Sequence, residues 1–138
     1  MDIPASQHAT VQQCIVQAAA HYGAHPLIVQ SVQMTENGKV GQARRNTNGT
    51  EDVGPMQINS VHFRELANYG ITRDKLLYDG CLNVYIGTYY LQKSILKTAN
   101  FWRAVGNYHS TTPSLNVEYQ QRVWANLQKL QAQRGALR

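Results

Sequence analysis

The helical period of this chain breaks off near residues 36–38 and returns only after residue 59, and that interruption constrains the fold most. Within it, Asn46-Thr47-Asn48-Gly49 is a turn signal, because Asn and Gly tolerate positive φ. Short strands are expected on either side, the second ending at Gly54-Pro55. A helix that ends in an acid, Glu36, thus leads to a tight hairpin carrying two more, Glu51 and Asp52. The hairpin then runs into Gly54-Pro55-Met56-Gln57-Ile58-Asn59. The expected class is α+β, mostly helical, with the hairpin forming one wall of a cleft and helices the other.

The flanking helices are marked by spacing and by their stops. Val11, Cys14, Ile15, Ala18, Ala19 and Tyr22 recur at helical intervals up to Gly23. Pro26 suits a first-turn position, and Leu27, Ile28, Val32 and Met34 follow it to Glu36, before Asn37-Gly38. After the cap Asn59-Ser60, a helix through Phe63, Leu66 and Ala67 is expected, then a single turn from Thr72. A longer helix over residues 80–97 carries Cys81, Val84, Tyr85, Thr88, Leu91 and Ile95 on one stripe. Phe101 to Tyr108 form a short helix, and a last one spans Asn116 to about Gln133. With no linker or repeat, residues 1–138 read as one domain, with a disordered tail over 134–138.

Composition narrows the function classes. Apolar residues make up 43% and charged ones only 15%, which fits a packed core. Lys and Arg exceed Asp and Glu by 13 to 8, a net charge of +5 that favours anionic partners such as an acidic polymer. Arg44-Arg45 is only a pair, so no nucleic-acid partner is expected. No apolar run is long enough to span a membrane, and Met1-Asp2-Ile3-Pro4 shows no signal peptide. That start suits either a cytosolic protein or a mature exported chain. The two cysteines, Cys14 and Cys81, are either two buried thiols or one bridge. A bridge would stabilise by about 4 kcal/mol in the chain-entropy view. No CxxC occurs and the histidines are scattered, so no metal site is expected.

The acids carry the candidate chemistry. Two carboxyls on opposite sides of one cleft can break a glycosidic bond: one protonates the leaving oxygen and the other supports positive charge at the sugar carbon. Glu36 closes an otherwise apolar helix, where loss of water raises a carboxyl's proton affinity and makes it a general acid. A solvated helix-end acid is the plainer alternative. In a strand, Glu51 and Asp52 point to opposite faces, so only one of them can face Glu36. Met56 and Ile58 alone would read as core, and Tyr108 alone as an amphipathic core tyrosine or a cleft hydroxyl.

Taken together these segments identify a resemblance. Cys14-x7-Tyr22-Gly23-x2-Pro26-Leu27 leads to Glu36, followed by Gly54-x-Met56-Gln57-Ile58-Asn59. His62-Phe63-x-Glu65-Leu66, Tyr69-Gly70-Ile71, the block from Cys81 to Leu91, Trp102 to Ser110, and Tyr119 come next. In order and spacing the chain resembles the lysozyme-like lytic transglycosylases, in particular the small ones accompanying type IV secretion, conjugation, pilus and type III secretion systems. The likeness covers roughly Cys14 to Trp124. It implies a peptidoglycan-cleaving enzyme without metal or organic cofactor, with Glu36 as general acid and base. Its implied substrate-contacting residues are Asn46, Met56, Gln57, Asn59 and Tyr108. It also pairs Cys14 with Cys81, and so implies an oxidising compartment.

The implied partners are glycan strands and components of a trans-envelope machine. The implied setting is the periplasm, reached by an export signal that this sequence lacks, and the chain would act as a monomer. Three positions depart from the family pattern. Asn37 follows the acid where Ser is usual, Pro55 replaces Leu, and Asn107-Tyr108-His109 stands for Ala-Tyr-Asn. The run from Asn46 to Asn59 also resembles animal-type lysozymes, whose acid at the Asp52 position stabilises or attacks the oxocarbenium ion. Asp52 is therefore a second catalytic candidate, and a hydrolytic muramidase the alternative enzyme. A glycan-binding assembly protein that keeps the cleft is the non-enzymatic alternative.

Overall fold

The apolar stripe over residues 80–97 becomes the helix around which the other elements assemble. In the computed structural model, which describes residues 10–136, it spans Gly80–Lys97 as α5 and buries Cys81, Asn83, Val84, Tyr85, Ile86, Gly87, Thr88, Leu91 and Ser94. Residues 1–9 and 137–138, including the start from which the missing signal was read, lie outside the described residues. Before α5 come α1 (Val11–Tyr22), α2 (Pro26–Glu36), β1 (Ala43–Arg45), β2 (Glu51–Val53) and β3 (Ile58–Asn59). A 3-10 turn (Ser60–His62), α3 (Phe63–Ala67) and α4 (Arg73–Tyr78) complete that half. After it come α6 (Phe101–Asn107) and α7 (Pro113–Ala136).

Local chemistry sets the helix ends. Thr10 and Gln13 form a reciprocal capping box at the start of α1, and Gly23 closes it in the left-handed region. Pro26 occupies the first turn of α2, where a missing N–H costs nothing, and His25 Nδ1 accepts from the Leu27 N–H at 3.1 Å. Asn37, at φ 52°, ends α2 with its N–H on the Gln33 carbonyl. The buried hydroxyls of Ser31 and Thr35 donate one turn back, to the Leu27 and Ser31 carbonyls. A core of apolar side chains from α1, α2, α5 and α7 surrounds these contacts, and Cys14 of α1 is disulfide-bonded to Cys81 of α5.

Three expectations need correcting. The sheet has three antiparallel strands, β1-β2-β3, where a two-stranded hairpin was expected. The third is two residues long, too short for any period, and is created by the turn Gly54–Gln57 folding the chain back. The last helix begins at Pro113, three residues before Asn116, because Pro can start a helix without its N–H. Residues 134–136 belong to that helix and are not a disordered tail.

The join between sheet and helices rests on the amide of Asn83, fully buried on α5. Its Nδ2 donates to the carbonyls of Val53 (2.8 Å) and Leu76 (3.0 Å), and its Oδ1 accepts from the Met56 N–H (2.8 Å). One side chain thus satisfies the end of β2, the 54–57 turn and α4. Gly54 permits this approach: at φ 72°, a Cβ there would lie 2.2 Å from the Asn83 amide nitrogen. Gly87 lets α5 touch the same turn, where a Cβ would lie 2.5 Å from that of Met56.

Replacing Asn83 with Ala takes the side-chain partner away from three backbone groups. Urea denaturation at fixed pH should show a loss of about 3 kcal/mol, and a loss below about 1 kcal/mol would show that the clamp is dispensable.

Candidate active site

Glu36, the last residue of α2, opens into a cleft of about 850 Å3 between the sheet and the helices. Arg44, Asn46, Asp52 and Asn59 line the sheet side, Gln57 and Tyr108 the floor, and Tyr119 and Arg122 of α7 the helical side. Burial pushes the Glu36 carboxyl up from its ordinary 4.5 to about 7. The Tyr119 hydroxyl opposes this by donating to Glu36 Oε2 at 2.6 Å, the nearby charge of Asp52 adds to the rise, and Arg122 and Arg44 pull it down. Burial prevails, so near neutrality the group is divided between acid and carboxylate.

Asp52 sits in a different environment. Asn46 Nδ2 donates to its Oδ2 and Asn59 Nδ2 to its Oδ1, each at 3.0 Å. Both amides also donate to Thr50 Oγ1, at 3.1 and 3.2 Å, and that hydroxyl donates to Asn48 Oδ1 at 2.6 Å. Asn59 Oδ1 accepts from the Val61 N–H, which turns its NH2 toward Asp52. Each oxygen of Asp52 thus accepts from a side-chain amide. The register pairs Asp52 with Arg44 on one side and Asn59 on the other. Glu51 faces the other way, onto Arg73, whose guanidinium holds its carboxyl below the usual range.

The remaining candidates divide. Tyr108 lines the floor, but its hydroxyl donates to the Met56 carbonyl at 2.6 Å and so supports the turn. Burial, with Glu36 and Asp52 nearby, pushes its phenol well above the ordinary range. Gln57 also lines the cleft, while its Nε2 donates to the Gly54 carbonyl at 2.9 Å. It holds φ 53°, a conformation that costs a residue with a Cβ. Met56 is a correction: its side chain is fully buried against α5, away from the cleft, because the tight turn points it inward. Only its backbone oxygen serves the site.

Besides Arg44, two residues of α7 outside the candidate set act on Glu36. Tyr119 lies on the stripe Tyr119, Val123, Leu127 and Leu130, all buried, which reads as plain core. Two signals were available: its place among the motifs of the resemblance, and the need of a buried tyrosine hydroxyl for a partner. Arg122, one turn on, donates to the Thr35 carbonyl at 3.2 Å beside the acid. His109 stacks on the Tyr119 ring, with centroids 5.0 Å apart and planes within 10°. The departure at Asn37 is accommodated, since Asn suits its left-handed conformation and Glu36 takes its orientation from Tyr119.

A buried acid facing an amide-held carboxylate can protonate a leaving oxygen and stabilise the cation left behind. Over residues 13–130 the chain matches the family model described as the Transglycosylase SLT domain. It is 31% identical over 122 residues to the invasion protein IagB of Salmonella typhimurium (strain SL1344), covering 85% of this chain and 76% of that one. The X polypeptide of Escherichia coli (strain K12) is 36% identical over 108 residues, 75% of this chain and 60% of the relative. A peptidoglycan-binding-like protein of Escherichia coli O157:H7 is 30% identical over 105 residues, 70% and 63% of the two chains.

Removing the Tyr119 hydroxyl takes away the hydrogen bond that favours ionised Glu36. In Tyr119→Phe the Glu36 carboxyl should therefore titrate above its value of about 7, as read by carbon NMR of labelled glutamate. An unchanged or lower midpoint would deny Tyr119 that role.

Proposed function

Since the chain belongs to the Transglycosylase SLT domain family, we propose that it cleaves the β-1,4 bond between N-acetylmuramic acid and N-acetylglucosamine in peptidoglycan. The observation that carries the reading is Glu36, whose titration near 7 makes both its forms available at one pH. Protonated Glu36 gives its proton to the glycosidic oxygen, and the bond from that oxygen to the muramic acid anomeric carbon breaks. The ionised Glu36 then takes the proton of the sugar's own 6-hydroxyl as that oxygen attacks the anomeric carbon. The product is a 1,6-anhydro sugar, and no water is consumed. Acid and carboxylate suffice, so the reaction needs no metal or organic cofactor.

Asp52 supports a second reading. Its carboxylate, held by Asn46 and Asn59, is placed to stabilise positive charge developing at the anomeric carbon. The same arrangement serves hydrolysis if water replaces the 6-hydroxyl, giving a muramidase. Mass analysis of muropeptides released from purified sacculi separates the two, because the anhydro product is lighter by one water. The matched region would act as one domain on peptidoglycan outside the cytoplasm, where a disulfide such as Cys14–Cys81 persists. A local opening of the wall for a trans-envelope machine is consistent with the resemblance and with the invasion protein among the relatives.

Glu36→Gln keeps the shape and cannot donate the proton. Cleavage of sacculi should fall below roughly 1% of the unmodified protein while glycan binding remains, and residual activity of several per cent would remove Glu36 from the mechanism. Asp52→Asn should slow cleavage at least roughly tenfold, whereas Glu51→Gln, on the far face with Arg73, should stay within about twofold. Full activity of Asp52→Asn with wholly anhydro products would leave Asp52 no catalytic part.

A further inference from the structure

With its lactyl carboxyls tied up as amides to peptide, a glycan of N-acetylated sugars carries no charge of its own, and a cleft built only for that glycan has no use for free cations. This cleft holds Arg44, Lys93, Lys97 and Arg122 against Glu36, Asp52 and Glu65, and Glu36 is only partly ionised near neutrality. Arg122 is engaged with the Thr35 carbonyl, and Arg44 acts on Glu36. Lys93 and Lys97 differ from both. They stand one turn apart on the exposed side of α5, with Ser94 between them on the same cleft wall.

Among the described residues neither ammonium makes a hydrogen bond or an ion pair. The ion pairs described are those of Arg73 with Glu51 and Asp74. Lys93 lies 5.8 Å from the centroid of the Tyr89 ring, and its charge helps to hold the His62 imidazole below its ordinary value, an effect led by burial. Glu65, which lines the same cleft, accepts from the Tyr90 hydroxyl at 3.3 Å. Lys97 falls in the last turn of α5, where the helix dipole favours a cation, but this does not account for Lys93.

Resting on peptidoglycan as the substrate, we infer that Lys93 and Lys97 form a subsite for the carboxylates of the peptide stems on the glycan. Muramic acid joins its lactyl carboxyl to the peptide as an amide, so the strand's remaining negative charge sits on the stem. A stem leaving a sugar bound in the cleft brings its carboxylates to the rim, where two exposed ammonium groups stand on long side chains. The subsite makes peptide-bearing strands the preferred substrate and leaves the bond-breaking groups untouched.

The test compares kcat/KM on peptide-bearing strands with that on the same strands after their stem carboxylates are converted to neutral amides. The unmodified protein should favour the former by roughly fivefold, and the preference should fade as sodium chloride is raised. Lys93→Gln/Lys97→Gln should bring the ratio of the two rates close to one, and Lys93→Glu/Lys97→Glu should invert it. Equal proportional losses on both strands, or no loss on either, would overturn the subsite. The same pairs of substitutions in Glu36→Gln, read by binding to both strands, keep the outcome independent of cleavage. Binding that favours strands with free stem carboxylates and is lost with the lysines, together with no cleavage of either strand by the protein with Glu36 intact, would refute the proposed reaction and leave the subsite standing.

Discussion

Backbone groups of β2, of the turn that follows it and of α4 meet on one buried amide, that of Asn83, and the geometry of the cleft follows from that meeting. An amide suits the place because it offers two donors and an acceptor on one plane, matching two carbonyls and one N–H. Buried polar groups are costly unless paired, so the clamp satisfies five partners of the interior at once: both ends of the amide and three backbone groups. It sets the end of β2, hence the direction of Asp52. It also holds the 54–57 turn, hence Gln57 and the Met56 carbonyl that receives Tyr108. Gly54 and Gly87 are needed because the helix and the turn approach too closely for a side chain at either position.

The two carboxyls of the cleft show how environment divides one chemical group into two roles. Glu36 emerges at the end of an apolar helix with α7 packed alongside, and loss of water governs its proton affinity. A single donor from Tyr119 and the fields of two arginines reduce that effect without cancelling it. Asp52 has an amide on each oxygen and lies on a short sheet with cleft on one side. Proton transfer to and from Glu36 becomes possible within one pH range because burial, only partly offset by Tyr119 and the arginines, brings its carboxyl to about 7.

Much of this architecture was written in local patterns. The ends of α1, α2 and α5 follow from a capping threonine, a first-turn proline, stop residues and apolar stripes, which act over three or four residues. Strand alternation separated Glu51 from Asp52, and the Asn46–Gly49 turn placed the hairpin. Neither β3 nor the start of α7 could be read so well. A two-residue strand has no period, and Pro113 is compatible with a loop as well as with a helix start.

The sequence by itself determined the class of fold, the order of its elements and the presence of an acid at the end of an apolar helix, because these depend on near neighbours along the chain. Tertiary structure alone decided what surrounds that acid. Tyr119 reaches Glu36 across 83 positions and Arg122 reaches Thr35 across 87, distances over which no periodicity carries information. Met56 illustrates the same limit in reverse. It stands in the most informative motif of the chain, yet the turn sends its side chain into the core and leaves only a carbonyl for the site. Proton affinity depends on burial and on charges brought together through space, and these exist only once the chain has packed.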